Sequence, residues 1–575
     1  MLRLIKNNWS FIVVLVICFW AAKSLLAPGF FPIHDDEQIT RVFELDSALS
    51  DGQFPVRWVS HLGFGYGYPL FNFYPPFSYY SAEAFHLFGF SFIDSTKLVF
   101  FLAFLLSSFF MYLWVKEHFG KWAGVFAALL YTYAPFHAVE IYVRGSLPSF
   151  VAYAFLPAVF WSTDRLFKTK KISHAITLGF FIALIPLSHI LILLIFLPFF
   201  VTYLIYLVLE YKKEFKNMIS LLSLSLLVAF GLSAFFLVPS ILEKGYTMVD
   251  KINTGELYSY KLHFVCIKEF FNSTWGYGGS LPYCMSGLSF EIGKVHLLFA
   301  FAASLFFIYS LMKKKISRIK LPLLAFFMFL FSIYMVNSHS AWIWDRVKIL
   351  SYLQFPWRFL TMTALFSSFL GGFVIYSIQK YFGKTLTLVL LLVFSSAAVF
   401  IVISYFKPQS NLNVGDSYYT NLDDIKWRVS KASFEFVPKG VATKLSDIKT
   451  TQVDIDKKDI PDSPYKILRG DLKIKVIDNK SHFKQLAVNS KTDSQLMLNT
   501  FSFPGWKTAI DGKDVKYRDD NKLKLIVVDV PRGAHILTAS FTNTLPRTIG
   551  NAISLVVVFN LVGFGLLKLW KKLKN

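Results

Sequence analysis

The chain is poor in cysteine and in charge. Three cysteines in 575 residues are too few for a disulfide scaffold or a cysteine-built metal site. Cys18 falls in the first apolar run, where packing accounts for it. Cys266 and Cys284 share one loop and flank Asn272-Ser-Thr274. On an oxidising face they could pair, closing a short loop for about 3 kcal/mol in the chain-entropy picture. The Asn272 triplet is a glycosylation acceptor only where that machinery exists. Charged residues make up 17% of the chain, against about 25% in soluble proteins, and acids are the scarcer sign, 36 against 59 Lys+Arg. A cleavage site is also missing. The first apolar segment, Trp9 to about Leu26, follows Arg3 and Lys6 and is not followed by a small-residue cleavage pattern. It reads as a retained helix with a cytoplasmic N-terminus.

Hydrophobic residues supply 55% of the chain, aromatics 18%, with 64 Phe and a mean hydropathy of +0.49. The excess comes as runs of about 18–22 apolar residues, the length that crosses about 30 Å of hydrocarbon. These runs predict a polytopic α-helical membrane protein with about twelve spans, near 9–28, 97–115, 122–140, 149–164, 173–188, 190–209, 219–240, 293–311, 321–336, 357–377, 386–405 and 548–567. The fifth and sixth are joined by so little chain that a re-entrant pair is an alternative. The net charge of +23 does not indicate nucleic acid. Basic clusters follow every second span: Lys116 to Lys121, Arg165 to Lys171, Lys212 to Lys216, Lys313 to Lys320, Lys380 with Lys384, and Lys568 to Lys574. One orientation explains all of them, with both termini cytoplasmic in the plasma membrane and the long loops outside.

Three regions follow. Residues 1–405 form the multi-span domain, with a first outer loop over 29–96; residues 406–546 form an extracytoplasmic β-domain; residues 547–575 form the final span and a basic tail. In the first outer loop Ile39, Val42, Phe43 and Leu49 recur at helical spacing, and Glu37 stands four residues before Arg41, which predicts an amphipathic helix lying in the interface. The stretch from Gly63 to Tyr80 is rich in Gly, Pro and aromatics. It is either an aromatic belt or a wall for a sugar or lipid, with Tyr66, Tyr68 and Tyr74 as candidates. In the β-domain, Leu472 to Ile477, Lys522 to Val528 and Ile536 to Phe541 alternate as strands do, and Asp511-Gly512 and Pro531-Arg-Gly533 mark turns. A β-sandwich is expected. Asp454-Ile-Asp456 spells a metal-binding pair but reads better as the solvated face of a strand.

Ionisable groups at membrane depth are costly and ask for a reason. His34, Asp35, Asp36 and Glu37 stand side by side just after the first span. His137, Glu140 and Arg144 end the third span, His189 separates the fifth and sixth, and Arg358 heads the tenth. The expected topology puts all of them on one side. Such a set suits transfer from a phosphate-linked donor. A carboxylate takes the acceptor's proton, and cations, or a divalent metal such as Mg or Mn held by carboxylates, stabilise the departing phosphate. Arg144, His189 and Arg358 are the donor-phosphate candidates, since a guanidinium grips two phosphate oxygens. His34, Glu37, His137 and Glu140 would stand behind them or touch substrate. Each residue also has a plainer reading. The acids favour a helix start, Glu140 and Arg144 could be an internal pair, His189 a buried hydrogen-bonded histidine, and Arg358 an interface anchor beside Trp357.

The order of elements resembles the GT-C class of polyprenyl-phosphate-sugar-dependent glycosyltransferases. Shorter motifs, Gly65-Tyr-Gly-Tyr-Pro69 with Phe73-Tyr-Pro-Pro76, Gln354-Phe-Pro-Trp-Arg358, and Phe503-Pro-Gly-Trp506 with Asp511-Gly512, resemble bacterial YfhO-type and pyruvoyl-tetrahydropterin-synthase-related membrane proteins. No His-rich zinc-ligand set of the pterin enzyme is present. The resemblance implies a lipid-linked sugar donor, a cell-envelope glycan, lipid or protein acceptor, and an acid of the first outer loop as base or metal ligand. That role maps onto Asp35 or Asp36. A transporter or flippase, and a scaffold displaying the β-domain, are the alternatives. A transporter keeps its ionisable groups near the midplane and shows internal repeats, and neither is evident here.

Overall fold

The computed structural model describes residues 2–254, 256–314, 319–446 and 450–574. Lys315 and Arg318, members of one expected basic cluster, lie outside the described residues. Among those described, seven helices are long and apolar enough to cross a membrane: Phe92–Phe119, Ile190–Glu210, Lys216–Tyr246, Lys294–Met312, Pro356–Phe382, Lys384–Tyr405 and Leu545–Lys571. They coincide with the second, sixth, seventh, eighth, tenth, eleventh and twelfth expected spans. The ninth is one limb of a bent pair, Lys320–Val336 and Ser338–Arg346, turned through 91°. The other four expected spans are also helical but shorter, broken or less apolar. The described apolar part of the first is Ile12–Ala21 and the fifth is Ile172–Ser188. The third stops at Thr132 and resumes at Pro135, where proline fits a helix start but not its interior. The fourth, Leu147–Thr169, is buried along most of its length, so protein rather than lipid faces it and it need not be uniformly apolar. The chain is thus a polytopic helical membrane protein with a C-terminal β-region.

The chain divides into two compact units. The first comprises residues 1–38, 93–230 and 258–414. Its central helix is Leu360–Phe382, almost wholly buried among its neighbours. Trp114 fills the space beside it, with Phe160 and Phe369 rings 4.6 and 4.5 Å away. One buried acid, Asp164, accepts bonds from His118 Nε2 at 2.6 Å and the Tyr203 hydroxyl at 2.5 Å, which ties three helices at the end that carries Lys168 and Arg165. Cys18 is buried, as its place in an apolar run predicts. Cys266 and Cys284 are bonded, their Cα atoms 5.5 Å apart.

The second unit comprises residues 39–92, 231–257 and 415–575. Its strands are β1 (Thr443–Leu445), β2 (Thr451–Val453), β3 (Tyr465–Arg469), β4 (Leu472–Asn479), β5 (Phe483–Ser490), β6 (Ser494–Phe501), β7 (Trp506–Ile510), β8 (Lys513–Val515), β9 (Leu525–Val530) and β10 (Gly533–Phe541). They form a five-stranded sheet, β4-β5-β10-β7-β8, a three-stranded sheet, β3-β6-β9, and a β1-β2 pair, all antiparallel. Alternate residues are buried along β6 and β7, so each large sheet gives one face to a core, the pattern of a sandwich. The three expected strands are β4, β9 and β10, and both turn signals fall between strands. Residues 416–432 are helical rather than extended. Asp454 lies 3.2 Å from Lys444 and 2.8 Å from Lys522, and Asp456 is 3.4 Å from Lys444. The bond from Lys522, then that from Lys444, holds Asp454 below the usual carboxylate range, as a solvated ion pair should.

Helix Gln38–Ser50 forms where the spacing predicts one, but it is a core element of the second unit and not an interfacial helix. Ile39, Val42, Leu45 and Ala48 are buried, and so are Arg41 and Glu44. The Arg41 guanidinium lies 4.0 Å above the Tyr74 ring and donates to Ser433 Oγ at 3.1 Å. Those contacts satisfy a charge that would otherwise have to reach water. The aromatic loop is equally engaged. Tyr66 donates to the Asp459 carbonyl at 2.6 Å and Tyr68 accepts from the Phe436 amide at 2.9 Å. A network missing from the sequence reading joins the motifs. Arg547 Nε donates to Glu243 at 3.0 Å and its Nη2 to the Pro504 carbonyl at 2.8 Å. Asn72 donates to Glu243 at 2.8 Å and accepts from Arg57 at 3.2 Å. All four side chains are buried. A Cβ on Gly505 would come within 2.5 Å of Arg547 Nη1. Asn72, just before the Phe73-Tyr-Pro-Pro76 motif, and the Phe503-Pro-Gly-Trp506 motif therefore enclose a buried ion pair in this unit.

Candidate active site

The site lies in the first unit and starts from a break in a helix. After Pro135–Ala138 the chain makes a π-helical turn over Val139–Val143, so the Arg144 amide bonds to the Val139 carbonyl, five residues back. Such widened turns recur at functional sites. The turn puts Glu140 and Arg144 on one side, where their side chains bond directly. Both are buried. The Trp357 ring lies 4.8 Å from the Arg144 guanidinium, so Arg144 is fixed by a carboxylate and a π-face together.

The acidic segment after the first span docks on this turn through its backbone. The His34 amide bonds to the Val143 carbonyl at 3.0 Å and the Asp35 amide to the Arg144 carbonyl at 2.9 Å. Gly145, with φ +62°, makes the docking feasible, because a Cβ there would fall within 2.3 Å of the Ile33 side chain. Asp35 Oδ2 then lies 3.8 Å from Arg144 Nη2, with a third of the carboxylate side chain exposed while Arg144 is closed in. Asp36 and Glu37 are half-buried in the turn just before helix Gln38–Ser50. His34 is exposed, and its Nε2 bonds to the Tyr277 carbonyl at 2.9 Å.

His189 interrupts two apolar helices, ending Ile172–Ser188 and preceding Ile190–Glu210, in extended conformation (φ −156°, ψ 108°). The charges of Arg358 and Arg144 both bear on its ring, and its buried Nδ1 has no hydrogen-bond partner among the described residues. Arg358 is buried, donates from Nη2 to Gln354 Oε1 at 3.3 Å and lies 5.3 Å from the Phe355 ring. Ion pairs thus join Asp35, Glu140 and Arg144, and Trp357, the chain neighbour of Arg358, lies against Arg144. His137 takes no such place. It is fully buried, with Nδ1 shared between the Tyr131 and Thr132 carbonyls at 3.2 Å and the ring stacked 4.1 Å from Tyr153 and 4.5 Å from Phe150. Tyr66, Tyr68 and Tyr74 belong to the second unit. Trp357, Ile33 and Gly145 do belong to the site. The sequence signals for them were the Gln354-Phe-Pro-Trp-Arg358 motif, which holds Trp357, and Gly145 in Arg-Gly-Ser-Leu-Pro, a glycine next to a charged residue at a span end.

Among the described residues no group of three or more His, Cys, Asp or Glu could hold a metal ion. A cage built by protein alone is not what these residues offer. Two neighbouring carboxylates, Asp35 and Asp36, do match the one or two that Mg uses when substrate phosphate and water complete its shell.

A family model described as "6-pyruvoyl-tetrahydropterin synthase related domain; membrane protein" matches residues 71–408, more than half of the chain. The chain belongs to this family. The match of this PTPS-related membrane protein takes in the π-turn, His189 and Arg358 but not the acidic segment at 34–37. An uncharacterized protein of Lactococcus lactis subsp. cremoris (strain MG1363) is 28% identical over 243 residues, 41% of this chain and 40% of that one. The chain therefore spans about two-fifths of the length of that relative. Among solved structures, the oligosaccharyltransferase of Archaeoglobus fulgidus tethered to an acceptor peptide is similar at 14% identity and a TM-score of 0.40, over 72% of this chain and 56% of that one. The same enzyme in complex with Zn and sulfate is similar at 15% identity and a TM-score of 0.34, over 71% and 53% of the two chains.

Proposed function

We propose that the protein is a membrane glycosyltransferase that moves a sugar from a polyprenyl-phosphate donor to a hydroxyl of a cell-envelope acceptor at the outer face of the plasma membrane. The observation that carries this reading is the one-third-exposed Asp35 carboxylate 3.8 Å from a buried arginine. A base that can reach substrate stands beside a cation that can hold phosphate. Membership of a membrane family supports the setting.

In this reading the acceptor hydroxyl gives its proton to Asp35, or to Asp36 one residue on. Its oxygen bonds to the anomeric carbon, the bond from that carbon to the phosphate oxygen breaks, and the electron pair leaves with the polyprenyl phosphate. Arg144 binds the leaving phosphate, with Glu140 and Trp357 fixing its fork. Arg358 adds charge and His189 Nδ1 a donor. A divalent ion, when bound, would be held by Asp35 and Asp36 and would neutralise phosphate charge. The β-region would bind the acceptor.

The test is Asp35→Asn and Asp36→Asn, separately and together, with transfer of labelled sugar from polyprenyl-phosphate-sugar measured in membranes holding normal amounts of protein. The double variant is expected to lose activity by about a hundredfold or more, the range of a lost general base. Undiminished transfer by the double variant would end the proposal.

A further inference from the structure

The loop closed by the Cys266–Cys284 bond lies against the residues that shape the site. Two contacts matter. The Tyr277 carbonyl accepts the His34 Nε2 bond at 2.9 Å, one residue from the carboxylate assigned as base. Ser280 Oγ accepts from Trp357 Nε1 at 3.2 Å and bonds to His263 Nδ1 at 2.7 Å, and Trp357 is the ring that backs Arg144. Both residues fall inside the disulfide loop, so the loop grips the base segment with one residue and the phosphate-side arginine's support with the other.

The loop is built to hold that position. Tyr277 bridges to Leu288, the Gly278 amide bonds to the Gly287 carbonyl at 2.8 Å, and the Gly287 amide returns to the Gly279 carbonyl at 2.8 Å. The two backbones approach so closely that a Cβ on Gly278 would lie 3.0 Å from Gly287 Cα. The Tyr277 hydroxyl reaches the Lys407 carbonyl at 3.2 Å, and the neighbouring Trp275 ring stacks on Tyr405 at 4.3 Å, 3° from parallel. The last two anchor the loop to the end of the span Lys384–Tyr405. The covalent link completes the ring of constraints by limiting how far Ser280 can drift from His263.

We infer that the 266–284 loop is the positioning strap of this site, that Ser280 and Tyr277 are its two positioning residues, and that the disulfide is required for their geometry. This rests on the glycosyltransferase reading for its functional consequence but not for its structural one. When the bond is reduced, Ser280 loses its fixed distance to Trp357, Arg144 loses its backing, and His34 loses an anchor. Phosphate binding at the site then weakens while the membrane bundle stays folded.

Two measurements on the full chain in nanodiscs separate the possibilities. The first needs no ligand. Amide hydrogen exchange is followed for the peptide holding His34 and Asp35, whose amides bond to Val143 and Arg144. Reduction, or Cys266→Ser with Cys284→Ser, is expected to speed that exchange about tenfold or more while exchange in Leu360–Phe382 is unchanged. Equal exchange in oxidised and reduced protein overturns the strap. The second measures binding of undecaprenyl phosphate. Ser280→Ala is expected to weaken it about tenfold, as a small misplacement of a binding group does, and Ser280→Thr, which keeps the acceptor oxygen, restores it. Where the wild type binds, equal binding by Ser280→Ala also overturns the inference. Faster exchange on reduction in a protein that never binds the lipid phosphate upholds the strap and removes the donor assignment instead.

Discussion

At the scale of single residues, the site is an answer to a burial problem. Arg144 cannot sit in an apolar bundle alone, and Glu140, four residues back on a widened turn, neutralises it. Removing one partner of such a pair leaves the other charge uncompensated. Arg144→Ala should therefore cost about 3–5 kcal/mol of stability as well as phosphate binding, whereas Arg144→Lys keeps the charge and loses the fork and the stacking. Thermal melts and lipid-phosphate binding on both variants separate the two effects. A second residue gives a pH signature. His61 in the second unit bonds to Glu44 at 2.9 Å. Burial opposes its charge, but Glu44 outweighs it and lifts the imidazole above its ordinary range. A raised histidine stabilises the fold fully below its unfolded value of about 6.5, and that contribution is lost as pH rises through the folded value. Melting temperature should thus fall more between about pH 6 and 8 in the wild type than in His61→Gln. Equal slopes would refute the coupling.

At the scale of elements, Gly145 decides whether the acidic segment can dock. Its positive φ and its closeness to Ile33 leave no room for a side chain. Gly145→Ala should lower transfer activity about a hundredfold by displacing Asp35, the effect of misplacing a reacting group by about 1 Å, while expression stays near normal. Unchanged activity would show that the docking is incidental. The network around Glu243 and Arg547 plays the corresponding part in the second unit. There Arg547→Met together with Glu243→Leu should be better tolerated than Arg547→Ala alone, since an apolar replacement of a buried pair strands neither charge. Melting of the two variants checks this.

At the scale of the molecule, the basic clusters predict which side each region faces. Intact cells carrying Lys491→Cys in the turn between β5 and β6 should react with a membrane-impermeant maleimide, and those carrying Lys571→Cys should react only after permeabilisation. The reverse pattern would invert the topology and move Asp35 to the cytoplasmic side. The exposure of Lys491 and Lys571 leaves either thiol open to label.

Seven apolar helices, the strands β4, β9 and β10, and the acids at 34–37 were legible in the sequence because their signals are local. Apolar length, period-two alternation and a cluster of like residues need no knowledge of neighbours. The less apolar span Leu147–Thr169 was located but not its setting, because a helix surrounded by protein is relieved of the demand that lipid makes. Helix Gln38–Ser50 suggested an interface and the aromatic loop a belt or a substrate wall, and tertiary packing buried both in the second unit. The placement of the opening cluster also needed the fold. Asp35 and Arg144 are 109 positions apart in sequence, and only the π-turn, the missing side chain at Gly145 and the backbone bonds from His34 and Asp35 bring them to 3.8 Å. Composition determined that this is a membrane protein with costly charges at its span ends. Tertiary structure decided which of those charges meet, because burial tolerates them only where a partner is already in place.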